Sequence, residues 1–241
     1  MELQADLHVH TCLSPCADRR MLPSVIAGAA RAAGLDVIAV CDHNAAANVA
    51  AVREAGRREG LWVIGGMEIT SAEEVHVLAY FGGGEGLAAV EAEVSRHLPG
   101  LNDVDRFGEQ TVVDADDRAV REDARRLIGA TTLSVEAIVN LVHAHGGAAA
   151  ASHVDREGFS LLGQLGLVPE GLALDALEVS ARCAPAGREA FRRWGLPLLA
   201  SSDAHRPEDL GRARTVLTVE AATFDEFRWA LAGTGGRRVR L

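Results

Sequence analysis

The chain has 241 residues, of which 48% are hydrophobic, and a formal net charge of -10. That length suits one α/β barrel with a core large enough to dispense with disulfides. The charge argues against a basic face for phosphate neutralisation, so no extended nucleic-acid duplex is expected as a partner.

All 24 basic residues are arginines, which excludes a P-loop lysine and a Schiff-base lysine. No apolar run approaches the roughly 20 residues of a membrane helix. Met-Glu-Leu-Gln-Ala-Asp at residues 1–6 lacks the basic start of a signal peptide. A cytoplasmic protein without membrane contact is expected. Cys12, Cys16, Cys41 and Cys183 form no CxxC pair, so free thiols in a reducing compartment are expected. The sequence carries no signal of oligomeric state.

In chain order, residues 3–10 read as a strand. Residues 23–33 read as a helix, with Pro23 near its start and Gly34 just past its end. Residues 36–41 are a buried strand, and 45–59 a helix closed by Gly60. Strands follow at 61–65 and 75–81, then a helix at about 87–98. Residues 99–132 break this rhythm with Pro99-Gly100, an acidic cluster (Asp114, Asp116, Asp117) and an Arg/Glu-rich run. They read as an insertion, a hairpin plus a short helix, either covering the site or forming a solvated excursion. Alternation resumes with helix 134–145, strand 148–152, a helical stretch near 160–166, strand 173–180 and helix 185–194. Strands 197–201 and 214–219 and helix 223–232 complete it. About seven strands alternating with helices, without internal repeats, predict a parallel α/β barrel over 1–241 as one domain.

The chemistry-bearing residues recur at strand ends. In Asp6-Leu-His8-Val-His10, strict alternation places Asp6, His8 and His10 on one face, with Leu7 and Val9 on the other. Cys41-Asp42-His43 directly follows the apolar run 37–40; a carboxylate beside a ligating histidine often orients it. Gly-Met-Glu68 follows the next strand. Only seven residues separate Glu68 from His76, too few for a helical crossover, so the second strand must return antiparallel and bring His76 to the same rim. Ser-His153-Val-Asp-Arg156 and Ser-Ser-Asp203-Ala-His205-Arg206 follow two further strands. Six segments thus present His, Asp or Glu at one rim, where barrel active sites sit. His97, His143 and His145 lie at helix ends and read as structural.

These motifs, with Thr11 after His10 and Val-His76-Val-Leu-Ala-Tyr, resemble the PHP (polymerase and histidinol phosphatase) family, in family order from residue 5 to 205. The resemblance implies a distorted (β/α)7 TIM-like barrel and phosphoester hydrolysis at two or three divalent metal ions. It carries over His8, His10, His43, Glu68, His76, His153, Asp203 and His205 as ligands. The chain departs from the family at Ser14-Pro15-Cys16-Ala-Asp18. Pro15 cannot ligate through its side chain. Cys16 is the favoured ligand and Asp18 its rival, and a thiolate points to zinc or iron over magnesium or manganese. Zinc, iron or manganese is expected overall. Cys41 reads as packing.

The expected reaction is hydrolysis of a small phosphorylated substrate, a nucleotide or metabolite phosphate, by a metal-activated hydroxide. Arg156 and Arg206, with Arg182 as a third candidate, would steady the phosphate oxygens. His43 or His205 would protonate the leaving group. Two other readings stay open: a C–N hydrolase of the amidohydrolase type, and a non-catalytic metal or redox sensor using Cys16.

Overall fold

The computed structural model describes residues 1–241. Eleven strands form in chain order: β1 (Glu2–Val9), β2 (Val37–Val40), β3 (Trp62–Thr70), β4 (His76–Phe81), β5 (Thr111–Val113), β6 (Ala119–Glu122), β7 (Ala148–Ala151), β8 (Ala176–Ser180), β9 (Leu198–Ser201), β10 (Thr215–Thr218) and β11 (Arg238–Arg240). Nine of them make one sheet in the order β11-β10-β1-β2-β3-β4-β7-β8-β9, and β5 pairs only with β6.

The sheet curls until its two sides meet beside β1. The first half of β1 pairs antiparallel with β10, from Glu2 against Thr218 to Ala5 against Thr215. Its far end bridges Ala204, just after β9. There His10 N donates to Ala204 O (3.0 Å) and Ala204 N to His8 O (3.2 Å). This closure brings the segment carrying Asp203 against the two histidines of β1.

Two apolar layers line the sheet. Leu3, Ala5, Leu7, Ala39, Ile64, Leu78, Tyr80, Ala148, Ala150 and Leu199 belong to one cluster, with Phe227 of helix Phe224–Ala232 packed into it. Val40, Val63, Val77, Ala149 and Ala151 belong to a larger cluster shared with helices Pro23–Ala32, Val49–Glu59 and Val135–Ala144. The alternate alanines of β7 therefore serve opposite faces, as pleating requires. Their small size lets Tyr80 fill the interior, with its hydroxyl donating to Leu7 O at 3.0 Å.

Helix signals act where the sequence places them. Pro23 opens its helix at N1, and Gly60 closes Val49–Glu59 in the left-handed region, φ 66°. No helix is long and apolar enough to cross a membrane.

Two features differ from the sequence reading. β3 runs on to Thr70, so Glu68 lies within a strand, opposite Leu78 of the antiparallel β4. Gly66 makes this pairing close: a Cβ there would meet Ala79 O at 2.4 Å. The terminal strand β11 is too short and Arg-rich to show an apolar period. Within 99–132, helix Val104–Phe107 precedes the β5–β6 hairpin. That segment is tied to the strand-end rim, since Asn48 accepts from Val113 N and donates to Thr111 O.

Candidate metal centre

Strict alternation fails at the motif that opens the site. The β1–β2 register shifts between Asp6 and Val9. Leu7 therefore joins one apolar layer and Val9 the other. Asp6 leaves the face of His8 and His10 and instead accepts from Ser202 N (2.9 Å), Ser202 Oγ (2.6 Å) and Gly211 N (2.8 Å). It anchors the loop that presents Asp203. Burial pushes its carboxyl up to about 6, against those hydrogen bonds.

Glu68 is the hub of the cluster. Its carboxylate lies 2.9 Å from His76 Nδ1, 3.1 Å from His43 Nδ1, 3.3 Å from His153 Nε2 and 3.5 Å from both His8 Nε2 and His10 Nε2. Asp203 faces the same space, with Oδ1 3.1 Å from His10 Nε2 and 3.4 Å from His8 Nε2. Three sets of donors converge: His8, His10 and Asp203; His43, Glu68 and His76; His10, His43 and His205. Cys16 joins the last set, its Sγ 3.2 Å from His205 Nε2. Burial would raise its thiol, but hydrogen bonds with His205 and His43 bring it down to about 6. Asp18 is held by Arg20 instead.

The hydrogen bonds fix which histidine nitrogens face inward. Ser14 Oγ donates to Asp42 Oδ1 (2.7 Å), so it can only accept from His10 Nδ1 (2.9 Å). Both carboxylate oxygens of Glu178 lie 3.2 Å from His8 Nδ1. With protons on the Nδ1 atoms, the Nε2 lone pairs of His8 and His10 meet at 3.1 Å. Two facing lone pairs repel unless a proton or a metal ion sits between them, and a metal ion takes the proton's place. His153 Nδ1 is buried without a hydrogen-bond partner, and the Nδ1 atoms of His43 and His76 have only the Glu68 carboxylate near them, out of hydrogen-bond alignment. Oriented, buried imidazoles around two carboxylates and a thiol fit divalent metal ions.

Glu178 is the residue missed from sequence. It also accepts from His153 N (3.0 Å) and Ser152 Oγ (3.1 Å). Its only sequence signal is an acid inside the buried strand Ala-Leu-Glu-Val-Ser. Orienting a ligating histidine through its second nitrogen is worth about 10–100-fold in metal affinity. Glu178→Ala is expected to weaken metal binding by that factor, as read in a competition titration with a chromogenic chelator.

Two of the converging residues hold left-handed backbone, His153 (φ 28°) and Asp203 (φ 53°). Such conformations cost of order 1–3 kcal/mol each and persist where the surrounding structure over-determines them. The remaining histidines stay apart from the cluster. His97 contacts Thr132 and Glu93, and His143 contacts Asp175. Cys41 is fully buried in the apolar interior.

Beside the cluster lies a cavity of about 560 Å³ lined by Arg156, Arg182, Arg212, Ser180, Ser202, Asp203 and His205, among others. Arg156 Nη2 reaches Asp203 Oδ2 at 2.7 Å. Arg206 faces a neighbouring cleft with Asp18, Arg20 and Arg212 rather than this cavity.

The PHP domain model matches residues 6–166, which hold seven of the converging residues, from His8 to His153. The chain belongs to the PHP family. A PHP-associated model matches residues 186–233, which supply Asp203 and His205. A phosphoribosyl 1,2-cyclic phosphate 1,2-diphosphodiesterase of Eggerthella lenta is 33% identical over 114 residues, 43% of this chain and 42% of the relative. The lesion-specific endonuclease Q of Pyrococcus furiosus superposes on all of this chain with TM-score 0.76 and 20% identity, and the chain spans 58% of it. An endonuclease Q in complex with a 27-mer duplex carrying an abasic lesion gives TM-score 0.72 and 20% identity, over 99% of this chain and 58% of that one.

That complex overturns the expectation that an extended nucleic-acid duplex is excluded as a partner. Net charge sums over the whole surface, whereas a duplex meets only one face of it. Here Arg156, Arg182 and Arg212 line the cavity beside the cluster.

Proposed function

We propose that this protein is a metal-dependent phosphoesterase acting on a small phosphorylated substrate, a nucleotide or metabolite phosphate. The observation that carries the reading is Asp203, whose Oδ1 faces the imidazole cluster while its Oδ2 is held by Arg156 at the cavity. A phosphate in the cavity would lie against the cluster. The cavity volume falls within the ~300–1,000 Å³ range of small-molecule sites.

His8, His10, His43, Glu68, His76, His153, Asp203, His205 and Cys16 would hold two or three divalent ions. Bound ions supply Lewis acidity toward phosphoryl oxygens and water. Arg156 and Arg182 receive the phosphate oxygens through charge-assisted hydrogen bonds. Where it is not engaged by a metal ion, His205 is the stronger candidate to protonate the leaving oxygen, because it lines the cavity and its side chain is 27% exposed against 8% for His43. Glu178 and Ser14 keep His8 and His10 aimed inward. Family membership favours phosphoester chemistry over C–N hydrolysis or a sensor without turnover.

The test is phosphate release by metal-reconstituted protein. The panel contains p-nitrophenyl phosphate, nucleoside monophosphates, sugar phosphates and a DNA duplex with an abasic site. Turnover of the small esters is expected. Cleavage of the duplex alone would overturn the substrate size, and no turnover with any divalent metal would overturn the reading. Arg156→Ala and Arg182→Ala are each expected to lower kcat/KM by roughly 10–100-fold, from a lost charge-assisted hydrogen bond of about 1.5–3 kcal/mol. Arg206→Ala, outside the cavity, is the comparison.

A further inference from the structure

Phe159 is an exposed aromatic ring at the edge of the metal centre. Its relative exposure is 47%. The other strongly exposed aromatic, Trp229, carries the Arg237 guanidinium over its ring. One face of Phe159 lies on the His76 imidazole, with centroids 4.9 Å apart and planes at 23°. His76 in turn touches Glu68, so the ring borders the donor cluster directly.

The ring is held in place at some cost. Phe159 has φ 57°, a left-handed conformation that bulky residues avoid. Glycine would take that conformation freely. The backbone on both sides is pinned nonetheless. Phe159 O accepts from His76 N (2.9 Å), and Ser160 Oγ donates to Arg156 O (2.5 Å). Ser160 also caps the following helix, Leu161–Leu165. The loop that presents the ring carries Arg156, the residue reaching into the phosphate cavity. A strained, backbone-fixed aromatic, 47% exposed and stacked on a histidine of the donor cluster, is organised for contact with a ligand.

We infer that Phe159 is a specificity-determining stacking platform for a planar group of the substrate, a nucleobase or aryl ring attached to the reacting phosphate. The inference rests on the phosphoesterase reading and narrows its substrate class. Stacking on an aromatic face tolerates any base and rejects substituents without a π-surface.

Adenosine monophosphate and glycerol phosphate discriminate the case. The ratio of their kcat/KM values is expected to fall about tenfold or more in Phe159→Ala and Phe159→Gly, the scale of one lost base stack. Phe159→Tyr should restore it. Phe159→Gly also relieves the left-handed backbone, so a retained melting temperature separates lost stacking from lost folding. An equal loss on both substrates, or loss of metal from Phe159→Gly, would show a ring that merely shields His76 and would overturn the inference. Equilibrium binding of adenosine monophosphate to wild type and Phe159→Ala supplies a readout independent of turnover. Equal affinities refute the platform even if no phosphoester is hydrolysed. Weaker binding by the variant supports it, and absence of turnover then counts against the phosphoesterase reading alone.

Discussion

Glu68→Ala is expected to strip the centre of most of its metal and to lower kcat by roughly a thousandfold, the scale on which loss of a charge-stabilising group acts in a closed site. Glu68 is buried, and its carboxylate lies within 3.5 Å of His8, His10, His43, His76 and His153. Burial alone would raise its pKa, but His76, His8 and His43 hold it well below the ordinary carboxylate range. It is therefore a permanent anion in the middle of the imidazoles. Glu68→Gln keeps the volume and removes the charge. If charge is what matters, Gln should fail nearly as badly as Ala. Elemental analysis of both variants, with circular dichroism to confirm the fold, checks this. Wild-type metal content in either variant would dislodge Glu68 from its central role.

Removing the metal is expected to lower the melting temperature by roughly 8–16 °C. A ligand at 1,000 times its Kd stabilises the folded state by about 4.1 kcal/mol. Each kcal/mol moves the melting temperature of a domain this size by about 2–4 °C. The effect should also depend on pH, with a definite sign. For His8, burial lowers the pKa, but Glu178, Asp203 and Glu68 raise it well above the usual imidazole range. His43 is likewise raised by Glu68 and Cys16 against burial, and His205 by Cys16 and Asp203. In the metal-free protein these protons neutralise the carboxylates. Their stabilisation is complete below the unfolded imidazole pKa and is lost as pH rises through the raised folded values. Metal ions displace the same protons, so binding tightens in that direction. The gap between loaded and stripped melting temperatures should widen as pH climbs above the ordinary imidazole range. Calorimetry with and without chelator across that interval measures it; a gap that narrows with pH would contradict the arrangement.

Much of the fold follows from local chemistry. Pro23 at a helix start, Gly60 at a helix end and the apolar run 37–40 act where they stand, because caps and burial periods are encoded within a few residues. The short link from Glu68 to His76 required a returning strand, and β4 is antiparallel to β3. The duplex expectation failed for the opposite reason: total charge is a sum, and contact depends on where the charges sit.

The sequence by itself determined that His, Asp and Glu gather at one rim of an α/β barrel, since Asp42-His43, Ser-His153 and Ser-Ser-Asp203 each directly follow an apolar strand and the short Glu68–His76 link returns to the same rim. Only the tertiary structure decided how they meet. The register shift in β1 separates Asp6 from His8 and His10, and the closure at Ala204 brings Asp203 onto them. Glu178 behind His8, Cys16 beside His205 and the Phe159 ring on His76 come from strands and loops far apart in the chain. Pairings across such separations depend on strand order and register, which no local window contains.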